Sequence, residues 1–235
     1  MAATVTDSDL RARFPRSFGY VASVRKRAVQ LARTPGDDAS IALGASKVFG
    51  RPDLPSGAQW PSRSDRPMSF LAQLRLDELA AHDEDALVPH DGLVLFFFDE
   101  AGSTGAATRV DADAGKLRRL APPSGGEPAI ERAAASVAMN EVASFPAPPS
   151  PFVDLDAIHK TERAAYEALV REVSSVGDKV FGYPEPGDVD ERSDGDTRLL
   201  LQLAVDRGRI YFYGQDADLR RGDFGRVRAV RVTGG

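Results

Sequence analysis

Hydrophobic and polar residues recur in one pattern at two places in the chain. The first is Phe70-Leu71-Ala72-Gln73-Leu74-Arg75-Leu76-Asp77 and the second is Leu199-Leu200-Leu201-Gln202-Leu203-Ala204-Val205-Asp206. A β-strand points successive side chains to opposite faces, so period two separates a core face from a second face. Phe70, Ala72, Leu74 and Leu76 make the core face of the first stretch; Leu199, Leu201, Leu203 and Val205 make that of the second. The other face is more polar and ends in Asp77 or Asp206. Each stretch leads to a glycine and an aromatic run, Gly92-Leu93-Val94-Leu95-Phe96-Phe97-Phe98 and Gly208-Arg209-Ile210-Tyr211-Phe212-Tyr213. The second connection predicts a tight turn around Arg207; the first carries an insertion over 78–91, with one helical turn at 78–81. A pattern that returns together with its connection predicts internal duplication. The expected organisation is a single domain over 1–235, with pseudo-repeats at about 37–145 and 152–235.

The rest of the pattern predicts a few helices. Residues 17–33 read as an amphipathic helix, with Ser17 as cap and Phe18, Val21, Val24, Ala28 and Leu31 near helical spacing. Thr34-Pro35-Gly36 stops it. A second helix is expected over 161–174, where Tyr166, Leu169, Val170 and Val173 form an apolar stripe. Short strands are expected at 39–43, 116–120 and 225–233, and 130–145 suits either a helix or a strand. Residues 102–107 and 122–128 read as Gly/Pro-rich loops, and 146–151 as a stiff proline linker. Together these elements predict an α+β fold with a largely antiparallel sheet or sheets.

Composition narrows the function classes. With 42% hydrophobic residues in 235, the chain can bury a real core. A net charge of −5 gives no general polyanion-binding signature. The absence of cysteine removes disulfides, thiolate zinc sites and cysteine nucleophiles together. No run of 18 apolar residues predicts a membrane span, and the first residues lack the basic and apolar character of a secretory signal. A cytoplasmic location is expected. Charge is uneven: 11–33 and 207–231 are basic, 77–113 and 185–196 acidic.

Several segments, in order, resemble the YwqG-like family, a bacterial domain family of unknown function. They are Ser46-Lys47 through Gly50-Arg51-Pro52-Asp53-Leu54-Pro55, Trp60-Pro61, Pro67-Met68-Ser69-Phe70-Leu71-Ala72-Gln73-Leu74, 92–99, Phe181-Gly182-Tyr183-Pro184, 199–206, Asp218-Leu219 and Asp223-Phe224. The resemblance implies an antiparallel α+β fold with internal duplication, and no established activity, cofactor or catalytic residue. Many relatives resemble one another in a Gly-Gly where this chain has Phe49-Gly50, and in a histidine where it has Asp178.

Gln73 and Gln202 are the first candidates for a site, because an amide among apolar neighbours needs partners if buried. Either each amide satisfies nearby backbone, or the two polar faces read a ligand in an inter-repeat cleft together with Trp60, Tyr183, Asp77 and Asp206. Gln and Asp of one repeat lie roughly 13 Å apart along a strand and cannot grip one small group. His82, His90 and His159 lack metal-ligand spacing, and no phosphate loop, dinucleotide fingerprint or nucleophile elbow is present. No catalytic residue, metal or cofactor is expected. The expected function is a non-catalytic protein-interaction domain, immunity-like or regulatory. A small-ligand binder or weak hydrolase using the cleft is the alternative. Tyr211, Phe212 and Tyr213 beside Arg207 and Arg209 leave nucleic-acid binding as a second alternative.

Overall fold

A computed structural model describes residues 5–111, 113–123, 130, 132–174, 177–188, 195–206 and 208–233. The chain begins with α1 (Asp7–Arg13), α2 (Phe18–Ser23), β1 (Lys26–Pro35), β2 (Lys47–Val48), β3 (Asp53–Pro55), β4 (Ser62–Arg63) and β5 (Arg66–Pro67). It continues through β6 (Ser69–Arg75), α3 (Leu76–Ala80), β7 (Leu93–Asp99), β8 (Thr104–Val110), β9 (Leu117–Arg119) and β10 (Ala135–Ser144). It ends with α4 (Arg163–Ser174), β11 (Lys179–Phe181), β12 (Thr197–Val205), β13 (Gly208–Gln215), α5 (Asp216–Arg220) and β14 (Arg228–Thr233).

Ten strands make one large antiparallel sheet in the order β14-β13-β12-β11-β1-β10-β2-β6-β7-β8, and β3–β9 and β4–β5 are separate ladders. The fold class is α+β, as the alternation predicts. The chain groups into two compact units that interleave along the sequence. Unit 1 takes its described residues from Met1–Leu31, Asn140–Tyr211 and Val232–Gly235; unit 2 takes its own from Ala32–Met139 and Phe212–Arg231.

In unit 1 a helical core gathers Leu10 of α1, Phe14 just after it, Val21 of α2, Phe145, and Tyr166, Leu169 and Val173 of α4. Thr6 caps α1 reciprocally with Asp9, which satisfies two backbone donors at the helix start. Tyr166 donates its hydroxyl to Pro146 O at 2.8 Å, so the fully buried phenol keeps a partner. In unit 2, β6 and β7 are buried on both faces, and Phe70, Leu93, Leu95 and Phe97 pack with Leu54 and Leu117. On the opposite face Phe96 meets Phe212 at 5.0 Å between ring centroids, edge to face.

Four expectations are corrected. The helix expected over 17–33 stops at Ser23, and β1 takes over from Lys26. Ala28 and Leu31 suit both periods, and the pairing of Ala28 with Phe181 and Val29 with Val180 on β11 decides for a strand buried on both faces. Residues 38–40 form a short 3₁₀ turn, where a strand was expected over 39–43. Residues 104–110, partly read as loop, form β8 against β7, and 135–144 resolve to strand β10. Leu76 and Asp77 do not continue β6 but open α3, after a bulge between Phe70 and Ala72 has shifted the register. The expected turn at Arg207 and most of the loop expected over 122–128 lie outside the described residues.

Candidate functional site

In unit 2 the centre is a lysine facing an amide. Lys47 on β2 stands opposite Gln73 on β6, and both are 0% exposed. Gln73 Oε1 accepts the Asp53 N–H at 2.8 Å, while Nε2 donates to Ala45 O and to Asp53 Oδ2, each at 2.8 Å. Lys47 Nζ donates to Asp38 Oδ1 at 2.7 Å and lies 3.7 Å from Asp53 Oδ1. Arg119 donates to Asp53 through Nε at 2.8 Å and Nη2 at 3.1 Å, and the Gly44 N–H adds a bond at 2.9 Å. Burial alone would raise the Asp53 pKa, but Arg119, Gly44, Gln73 and Lys47 outweigh it and hold the carboxyl below its ordinary value. Burial lowers the Lys47 pKa despite its neighbours Asp38 and Asp53.

Unit 1 carries the same elements. Lys179 on β11 stands opposite Gln202 on β12, and both are buried. Gln202 Nε2 donates to Gly177 O at 2.6 Å and to Glu185 Oε1 at 2.8 Å; Lys179 Nζ lies 3.5 Å from the same oxygen. The strand continues alike in both places: Arg75 N–H donates to Ser46 Oγ, and Ala204 N–H to Asp178 Oδ1, each at 2.8 Å.

The lysines and acids of these centres escaped the sequence analysis, though a signal was present. Ser46-Lys47-Val48-Phe49-Gly50-Arg51-Pro52-Asp53 lines up with Asp178-Lys179-Val180-Phe181-Gly182-Tyr183-Pro184-Glu185. The backbone follows suit: Phe49 and Gly50 have φ of 59° and 70°, Phe181 and Gly182 of 61° and 72°. The glycines are required by space as well as by φ. A Cβ on Gly50 would lie 2.7 Å from Ala134 Cβ, and one on Gly182 2.7 Å from Ser144 Oγ.

The two centres differ in closure. Both partners of Gln202 Nε2 are acceptors, which fixes the amide orientation and turns Oε1 elsewhere. That buried Oε1 has no partner among the described residues. Glu185, 9% exposed, lines a cavity of about 200 Å³. Its walls come from residues 147–151 on one side and Tyr183, Pro184, Gly187 and Asp188 on the other.

Of the residues singled out by sequence, Tyr183 lies nearest to an open space. Its N–H bonds to Ser144 Oγ at 3.0 Å, and its ring tilts against Phe152 at 6.0 Å. Unit 1 therefore brings Tyr183 and Gln202 to one neighbourhood through Glu185. Trp60 is half-buried, donates Nε1–H to Met68 O at 2.9 Å and packs edge-on against Phe97 at 5.9 Å. Asp77 is exposed on α3, and Arg75, donating through Nε at 2.9 Å, lowers its pKa. Asp206 is exposed just after β12. Among the described residues, no group of three His, Cys, Asp or Glu is placed to hold a metal, and no helix is long and apolar enough to cross a membrane.

Fold and centres together define an α+β protein whose large antiparallel sheet carries two buried lysine–amide–carboxylate arrangements. The chain belongs to a family of domains of unknown function, DUF1963, which it matches over residues 46–230. The matched span opens on Ser46 and Lys47 and includes the lysine, the amide and Asp53 or Glu185 of each centre. No curated protein matches the chain.

Proposed function

We propose that this protein is a cytoplasmic, non-catalytic interaction domain, and that it recognises a partner protein through the cleft of unit 1. The observation that carries this reading is how the buried polar groups are used. Gln73, Lys47 and Asp53, each 0% exposed, are spent on one another, on Asp38, on Arg119 and on backbone, so they hold strand and loop together. The cleft between residues 147–151 and 183–188 instead offers a cavity with prolines, a tyrosine and two carboxylates in its walls. Proline walls lose little entropy when a ligand settles against them, since their φ is already fixed. The matching Lys-Val-Phe-Gly segments, registers and bonds also favour descent of the two centres from one duplicated unit.

The test is capture of partners from the native host by the full chain, set beside capture by Pro151→Trp. Pro151 is exposed at the cleft wall, so the indole fills the space without disturbing the core. A partner held by the parent and released by P151W is the expected result. No specific partner at low salt, or one retained equally by the variant, would overturn the reading.

A further inference from the structure

We propose that the unit 1 cleft receives a guanidinium group, carried on a short aliphatic stem. The proposal rests on the cleft being the recognition surface and states what that surface selects.

Two carboxylates line the cavity, and each uses one oxygen internally. Glu185 Oε1 takes Gln202 Nε2 at 2.8 Å and lies 3.5 Å from Lys179 Nζ. Asp188 Oδ2 takes Arg209 Nη1 at 3.0 Å and also the Tyr211 hydroxyl. Among the described residues, Glu185 Oε2 and Asp188 Oδ1 have no such partner. Gln202 presents Nε2 to Glu185 and does not itself line the cavity, so its Oε1 is not among the ligand's acceptors. Both carboxylate oxygens are acceptors. Hydrogen bonds to a charged acceptor are stronger than those between neutral groups, so a ligand that donates to both oxygens gains binding that a neutral apolar ligand cannot.

The ligand must therefore be rich in N–H and lack acceptors at its tip. A guanidinium has five N–H donors in a planar fork and no acceptor, and it is less strongly hydrated than an ammonium. Its stem would lie along the apolar walls given by Ala147, Pro148, Pro151 and Pro184. Lys179 and Arg209 already balance one charge on each carboxylate. The incoming cation is therefore bound by hydrogen bonds more than by net charge, and a modest affinity is expected.

The group has two possible sources: an arginine side chain in a partner protein, or a free guanidino compound. Calorimetric titration of the full chain with N-acetyl-arginine methylamide, its citrulline counterpart and agmatine separates them. Capped arginine is expected to bind saturably and capped citrulline at least tenfold more weakly, because citrulline keeps the shape but replaces a donor with a carbonyl. Preference for capped arginine over agmatine points to a peptide source; the reverse points to a free compound. Asp188→Asn and Glu185→Gln are each expected to weaken binding at least tenfold, with folding checked by the unfolding transition. The citrulline comparison needs no variant, so a misfolded mutant does not leave the question open. No binding of either guanidine at millimolar concentration overturns the proposal, as does equal binding of citrulline. If P151W releases a partner while D188N and E185Q retain it, the cleft stands as the interaction surface and the guanidinium assignment alone falls.

Discussion

Lys47 and Lys179 occupy matching positions, one in each unit, and their surroundings differ in the acid each one meets and in what covers that acid. In unit 2 the acid is Asp53, fully buried, and its own N–H reaches Gln73 Oε1 while its carboxylate takes Gln73 Nε2. In unit 1 the acid is Glu185. Its longer side chain reaches Gln202 Nε2, but Gln202 Oε1 gains no N–H and stays unpartnered among the described residues. Asp53 is then closed off further by Arg119 and the Gly44 N–H, whereas Glu185 borders a cavity. One motif thus serves as a sealed brace in one unit and as the wall of an opening in the other. What separates them is the length of the acid and the loop that covers it.

The sharpest way to break this comparison is to remove each lysine's charge. Lys47→Met takes one of two cations from Asp53, where lysine and acid are both fully buried, and is expected to cost about 3–5 kcal/mol. Lys179→Met deprives Glu185, but the cavity beside it admits water, and a loss of about 1–3 kcal/mol is expected. Denaturant midpoints of the two variants decide the matter. Equal losses would mean that the two centres are equally sealed.

The glycines sharpen the comparison from the other side, since here the units should agree. Gly50→Ala and Gly182→Ala each force a Cβ into a contact of 2.7 Å at positive φ. Strain and crowding together are expected to cost about 2–4 kcal/mol in both. A loss confined to one variant would show that the matching Phe-Gly turns do not do the same work.

The amides come next. Gln73→Leu removes three hydrogen bonds and strands the Asp53 N–H, at about 2–3 kcal/mol. Gln202→Leu removes two bonds but also an acceptor that lacks a partner, so about 1 kcal/mol is expected. Thermal or denaturant unfolding of the pair measures the difference directly. A larger loss for Q202L would place a partner on its Oε1.

The strands β6, β7, β12 and β13 were legible because alternation and aromatic runs repeat over seven or more residues. Gln73 and Gln202 stood out as amides in apolar strands. Their partners did not, for two physical reasons. Lysine is rarely buried, so nothing marks Lys47 and Lys179 as core residues, and the strands that carry them have two and three residues, too short for any period to show. The acids arrive from the start of β3 and from a loop, 20 and 17 residues before the amides, a distance set by chain folding and not by local pattern. The sequence reading of β1 as helix fails because Ala28 and Leu31 suit either period, and the pairing of Ala28, Val29 and Gln30 with β11 decides it. The cavity was invisible for the same reason, since its walls lie in two proline segments that meet only in the folded chain.

The smallest expected effect concerns pH and belongs to the sealed centre. Asp53 has its folded pKa below the ordinary carboxylate value, so the unfolded chain takes up its proton first as pH falls. The stability it contributes is complete above the unfolded pKa of about 3.9 and is lost as pH drops through the lower folded value. Lys47 also has a lowered folded pKa, so between that value and about 10.4 the unfolded chain again binds the more protons, and stability rises with pH there too. Both groups therefore tilt the curve the same way, one in acid and one in alkali. Asp53→Asn removes the acid limb: its stability below pH ~4 should fall less steeply than that of the parent, and the two curves should converge at the acid end. Parallel curves through that range, measured by urea unfolding at each pH, would mean that Arg119 and Gln73 hold the protonated acid as well as they hold the carboxylate.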